Sequence, residues 1–263
     1  MLGVAAVALV LLTGQPAVRH LDAATLGVHA KVDYVSFQFA AKRKPRIRIW
    51  RNDQLVTREL IDAAPRQANS PEAVVPVGVT ARDLDGDGEP EVLVELSSNA
   101  AYCCSWWRVY SFSGKRYVPQ LHWWGDINAV PAIRDLDHDK QVELVSVDDR
   151  FAALAPHVAA AYPLQIWQYR HGDFRNVTRQ YPERIAAHAA GLWSRYQQGV
   201  GPARYVLAAW AADEYLLGRQ AQADHSLDAA LRKGDFVDRL QGPDDPAAFL
   251  RFLKAFLRRN SYA

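Results

Sequence analysis

Cysteine is almost missing from this chain: two residues in 263, the adjacent Cys103 and Cys104. Two thiols cannot build a knottin-like disulfide framework or a four-ligand zinc finger. An excess of charge of one sign is also missing. Thirty-one basic residues against 29 acidic ones leave a formal charge of +2, which gives no electrostatic footprint for nucleic acid as a partner. Long apolar runs are absent apart from Met1–Leu12, which falls short of the ~20 residues a membrane-spanning helix needs. The familiar catalytic signatures are absent too. There is no G-x-S-x-G, H-E-x-x-H, Walker loop or G-x-G-x-x-G, and no two of the eight histidines stand four apart to form a zinc face.

What is present is ordinary globular composition, 49% hydrophobic and 23% charged, which excludes disordered and collagen-like chains. The run Met1–Leu12, followed by small residues up to Ala17, has the length of a signal-peptide core, although no basic residue precedes it. Residues 1–17 are therefore expected to be a signal peptide, the alternative being a buried N-terminal strand or helix. Export bears on the cysteines. Cys103 and Cys104 are either two small buried hydrophobes or a vicinal disulfide, the latter favoured by an oxidising compartment.

Two segments repeat with an offset of 52 residues: RDLDGDGEPEVLV from Arg82 and RDLDHDKQVELV from Arg134. Acidic residues occupy positions 1, 3, 5 and 9 of each loop: Asp83, Asp85, Asp87 and Glu91, then Asp135, Asp137, Asp139 and Glu143. Hairpins surround the loops. Arg46–Leu60 turns at Asn52-Asp53, Trp107–Gln120 at Ser113-Gly114-Lys115, and Gln165–Val177 at His171-Gly172-Asp173, with a further strand over Val32–Ala40. The period is that of propeller blades, but about two and a half units are too few for a closed ring, so a partial or open array is expected.

From Glu183 the period becomes helical. Apolar stripes at Ile185/Ala189/Leu192, Val206/Trp210/Leu217, Leu227/Ala230/Leu231 and Phe249/Leu250/Leu253/Leu257 predict four helices, the last capped by Asp244 or Asp245. Arg251, Lys254, Arg258 and Arg259 read as its solvated face. The fold class is thus α+β: an antiparallel β domain over residues 18–182, then a helical bundle over residues 183–263.

Alternating carboxylates on a tight turn suit a hard divalent cation such as Ca²⁺, which takes six to eight oxygen ligands. Gly88, at position 6, permits a backbone that side chains resist, whereas the second loop has Lys140 there. An EF-hand is excluded, because its bidentate Glu at position 12 is replaced by Val94 and Ser146. The competing reading is a pair of solvated turns. This arrangement resembles the FG-GAP/VCBS repeat family, with its D-x-D-x-D-G-x-x-[DE] loops between blade strands, and more narrowly the short exported VCBS-repeat proteins of actinobacteria. The resemblance covers about residues 45–180. It implies calcium at the eight acidic residues and a blade-like fold, but no activity.

The expectation is an exported, calcium-binding, non-catalytic scaffold of the cell envelope or exterior, whose partner is an envelope component or another protein. Trp106-Trp107 and Trp123-Trp124 are its candidate contacts, because adjacent strand residues face opposite sides and one of each pair could be uncovered. The alternative is an envelope enzyme with a site between the β and helical domains. Convergent polar groups in that groove would favour it over the scaffold.

Overall fold

A computed structural model describes residues 17–37, 40–41, 44–61, 74–98, 103–155, 159–237 and 245–262. The expected signal peptide lies outside the described residues except for Ala17, as does Asp244.

The described strands form three antiparallel sheets. The first holds β1 (Ala17–Thr25), β2 (Val28–Phe37), the two-residue β3 (Ala40–Ala41), β4 (Arg46–Arg51) and β5 (Gln54–Leu60), in the order β1-β2-β4-β5 with β3 beside β2. The second is the meander β6 (Val75–Arg82), β7 (Glu91–Ser97), β8 (Cys103–Phe112) and β9 (Tyr117–Asp126). The third is a shorter meander of β10 (Ala132–Arg134), β11 (Glu143–Val147), β12 (Leu164–Arg170) and β13 (Asp173–Asn176). Helices α1 (Pro182–Gln197), α2 (Ala203–Leu216), α3 (Gln220–Lys233) and α4 (Pro246–Arg259) follow. The class is α+β, with no closed barrel among the described residues.

The three expected hairpins form, and each acidic loop joins the first two strands of a meander. Three complete sheets replace the expected two and a half units, because β1 and β2 pair around Leu26-Gly27. That turn is nearly silent in sequence: Leu26 and Gly27 take φ of 43° and 78°. Asn52-Asp53 and His171-Gly172 are likewise left-handed at both positions, the two-residue connection whose twist suits a hairpin.

The second sheet is buried on both faces, so its strands read as nearly continuous apolar runs. Val92, Val94, Leu96, Trp106 and Tyr110 pack with Val28, Ala30, Val32, Ile47 and Ile49 of the first sheet. Leu93, Trp107, Val109 and Trp124 pack with Leu144 and Tyr169 of the third. Adjacent tryptophans do point to opposite sides, but neither side is free. Trp106 is 0% exposed and Trp107 2%, while Trp123 packs edge-on against Trp106, and Trp124 against Trp107. The paired tryptophans are core rather than a contact surface, and neighbouring sheets cover them.

The far face of the third sheet meets the helices through Leu164, Ile166, Val177 and Ile185. Helix α2 is buried along its whole middle, Arg204 to Tyr215, with Ala208, Ala209, Ala211 and Ala212 letting its neighbours approach closely. Asp245 caps α4, accepting from the Ala247 N–H at 2.8 Å, and Pro246 starts the helix. Lys254 is not simply solvated: it pairs with Asp228 at 3.0 Å and Asp224 at 3.4 Å on α3. No described helix is long and apolar enough to cross a membrane.

His122 sits between the second and third sheets, with ring centroids 4.2 Å from Trp124, 5.0 Å from Trp167 and 4.3 Å from Phe174. Burial pushes its pKa down to about 4, so the folded protein binds this proton less readily than the unfolded chain does. Stability from this site is full above the unfolded value near 6.5 and is lost as pH falls through that window. Between pH 7 and 4.5 the native protein should lose about 2 kcal/mol more stability than a His122→Phe variant, measured by urea unfolding. Parallel pH profiles for the two proteins would refute this.

Candidate metal centres

The two acidic loops are built alike from the backbone upward. Their closing pairs match, Arg82 opposite Glu91 and Arg134 opposite Glu143. In the first loop Asp83 accepts from the Gly86 N–H at 2.7 Å, Asp87 from the Glu89 N–H at 2.7 Å, and Glu91 from the Leu84 N–H at 2.9 Å. In the second, Asp135 accepts from the His138 N–H at 2.7 Å, Asp139 from the Gln141 N–H at 2.8 Å, and Glu143 from the Leu136 N–H at 2.8 Å. The left-handed positions also coincide: Gly86 (76°) and Gly88 (88°) correspond to His138 (64°) and Lys140 (76°). The glycine missing from the second loop has therefore not changed its path.

In each loop three of the four expected ligands converge. Oxygens of Asp83, Asp85 and Glu91 lie within 4.8 Å of one another, as do those of Asp135, Asp137 and Glu143. Asp87 and Asp139 do not belong to these clusters; each spends an oxygen on the backbone amide two residues ahead. Glu91 and Glu143 are buried at 3% and 0% exposure. Burial, reinforced by the charges of Asp85 and Asp87, pushes the Glu91 carboxyl up to about 8, against the pull of its bonds from Leu84 and Ser111. Like charges about 5 Å apart cost about 3 kcal/mol per pair at an effective dielectric of 20. The all-oxygen donor set, without nitrogen or sulfur, fits a hard cation, which would reverse the sign of that energy.

Residues beyond the repeat tie the loops to their neighbours. Arg51, at the end of β4, donates twice to Glu89, at 2.9 and 2.6 Å, while Tyr117 donates to the same carboxylate at 3.0 Å. Its hydrogen bonds with Arg51 are the main influence holding Glu89 below the usual carboxylate range. Across the other face, Asp85 accepts from the His171 N–H at 3.0 Å, and Ser111 donates to Glu91 at 3.1 Å while bonding the Tyr169 hydroxyl at 2.7 Å. The second loop meets Gln168, which donates to Glu143 at 2.8 Å, and Tyr181, which donates to Asp137 at 3.3 Å. Sequence reasoning missed these residues, since nothing local marks them. His138 carried a signal that was readable, because aligning the repeats sets it opposite Gly86.

Cys104 is buried at the start of β8 and is disulfide-bonded. The sequence has one other cysteine, Cys103, whose side chain lies outside the described residues. Searches against family models, curated proteins and solved structures return no match for this chain.

Lys140 holds a left-handed backbone that costs a side-chain-bearing residue about 1–2 kcal/mol, partly offset by the greater chain entropy of glycine. Lys140→Gly should therefore raise stability by about 0.5–1 kcal/mol in chelator, while Gly88→Lys should lower it. Denaturant midpoints check both, and a destabilised Lys140→Gly protein would contradict the geometry.

Proposed function

We propose that this chain is an exported, calcium-binding, non-catalytic scaffold of the cell envelope or exterior, of the FG-GAP/VCBS repeat type. Calcium in its two acidic loops fastens neighbouring layers to one another. The observation that carries this reading is the duplication: two loops 52 residues apart share a hydrogen-bond pattern, and each gathers three carboxylates within 4.8 Å. Solvated turns have no need to bury Glu91 and Glu143 beside two further acids. Calcium is preferred to magnesium because the donors sit on irregular loop backbone, and calcium accepts a larger, less regular oxygen shell.

Each loop also contacts the unit that follows it: the first through His171 in the β12–β13 turn, the second through Tyr181 at the entry to α1. A cation at either place would reinforce a junction between layers, which is a structural role. Export is supported by the apolar run Met1–Leu12 and by the disulfide at Cys104, a bond that persists in oxidising compartments. The scaffold's partner is an envelope component or another protein, engaged through surfaces other than the tryptophan pairs.

Thermal unfolding tests the reading. Calcium at about 1,000 times its dissociation constant should add about 4 kcal/mol per site, which raises Tm by roughly 10 °C per site in a chain of this size. Magnesium should add much less. Asp85→Asn and Asp137→Asn keep an acceptor oxygen while removing a charge. Each should therefore abolish one calcium increment and, by relieving the repulsion between carboxylates, leave the Tm in chelator unchanged or raised. Equal destabilisation in both conditions would mean that the loops act through turn geometry alone.

A further inference from the structure

The groove where the third sheet meets α1 is mostly apolar, with a few basic side chains among its lining residues. It is a cavity of about 520 Å³, within the range of small-molecule sites. Its floor is apolar, formed by Leu136, Val145, Leu164 and Ile166. Its wall is one face of α1, where Arg184 and His188 stand four residues apart with Ala187 between them. A small residue at Ala187 leaves room that a larger side chain would fill.

The basic groups on this rim are not spent on each other or on nearby acids. Arg184 makes no side-chain hydrogen bond or ion pair among the described residues, and Arg134, at the end of β10, bonds only the neighbouring Ile133 carbonyl at 3.0 Å among them. The acid lining the groove is Asp135, whose carboxylate is turned into its own loop cluster. His188 is held from behind. Its Nδ1 lies 2.6 Å from Oδ2 of Asp213, a fully buried side chain whose other oxygen accepts from the Leu164 N–H at 3.0 Å. One buried carboxylate therefore fixes both the ring on the wall and the strand beneath it. Among the described residues Nε2 has no protein partner.

We propose that this groove binds a small amphiphilic anion, with its apolar tail on Leu136, Val145, Leu164 and Ile166 and its carboxylate or comparable head between Arg184, Arg134 and His188. The choice of an anion rests on charge complementarity with two guanidinium groups that lack acidic partners. The choice of an amphiphile rests on the apolar floor.

Isothermal titration of the protein with octanoate tests this, with acetate and octylammonium as controls for tail and head. Octanoate should bind saturably at one site, at least tenfold more tightly than either control. Arg184→Ala and Ala187→Leu should each weaken it at least tenfold while leaving Tm unchanged, since both side chains are exposed. His188→Gln should weaken it as well. The proposal is overturned by absent or non-saturable octanoate binding, by equal binding of octylammonium, or by variants that bind as the native protein does. A concentration-dependent dimer that excludes octanoate would also overturn it, by giving the groove to a second copy of the chain.

Discussion

Three carboxylates held within 4.8 Å of one another, with one of them buried, is an arrangement that works against itself unless a cation or protons answer it. This chain contains it twice, at the places where one layer hands over to the next. Glu91 projects from the second sheet toward Ser111 and Tyr169, and Asp85 receives an amide from the β12–β13 turn. Arg51 of the first sheet holds Glu89, two residues before Glu91, together with Tyr117 of the second. The first loop is thus gripped by both flanking sheets, and whatever balances its charge also decides how firmly those sheets adhere.

That constraint explains why the middle sheet is so apolar. A sheet sandwiched on both faces has no solvent side, so Val92 to Leu96 and Trp106 to Tyr110 alternate between two cores instead of between core and water. Of the polar groups it carries, Ser111 and Arg108 reach partners on the adjoining layers, Tyr169 and Glu59. The helices complete the stack by burying the far face of the third sheet, with α2 as their own core. At that last junction the packing stops short of closure. The groove lined by Arg184 and His188 lies there.

Much of this was legible in the residues. Hairpin turns at Asn52-Asp53 and His171-Gly172 announce themselves because few residues tolerate positive φ, and the helical stripes from Ile185 to Leu257 follow a plain 3.6-residue period. The acidic spacing located both clusters. Asp87 and Asp139, expected as ligands on the same spacing, lie outside the two carboxylate triads that gather within 4.8 Å. β1 was hidden behind Leu26, a poor turn former held left-handed by the hairpin around it. The tryptophan pairs illustrate a different limit. Alternation correctly predicts that neighbours face opposite ways, but only tertiary arrangement shows that each side has a cover. Arg51, Tyr117 and Asp213 act across tens of residues, so no local pattern exposes them.

Hydrogen exchange of single amides, compared in calcium and in chelator, reaches the central claim most directly. If cations fasten the layers, calcium should slow exchange at Leu84 and Leu136 within the loops and, together with them, at His171, whose amide bonds Asp85 from 86 residues away in sequence. Protection confined to the loop amides, with the β12–β13 turn unchanged, would contradict the clamp. No change at any of the three would contradict the cation itself.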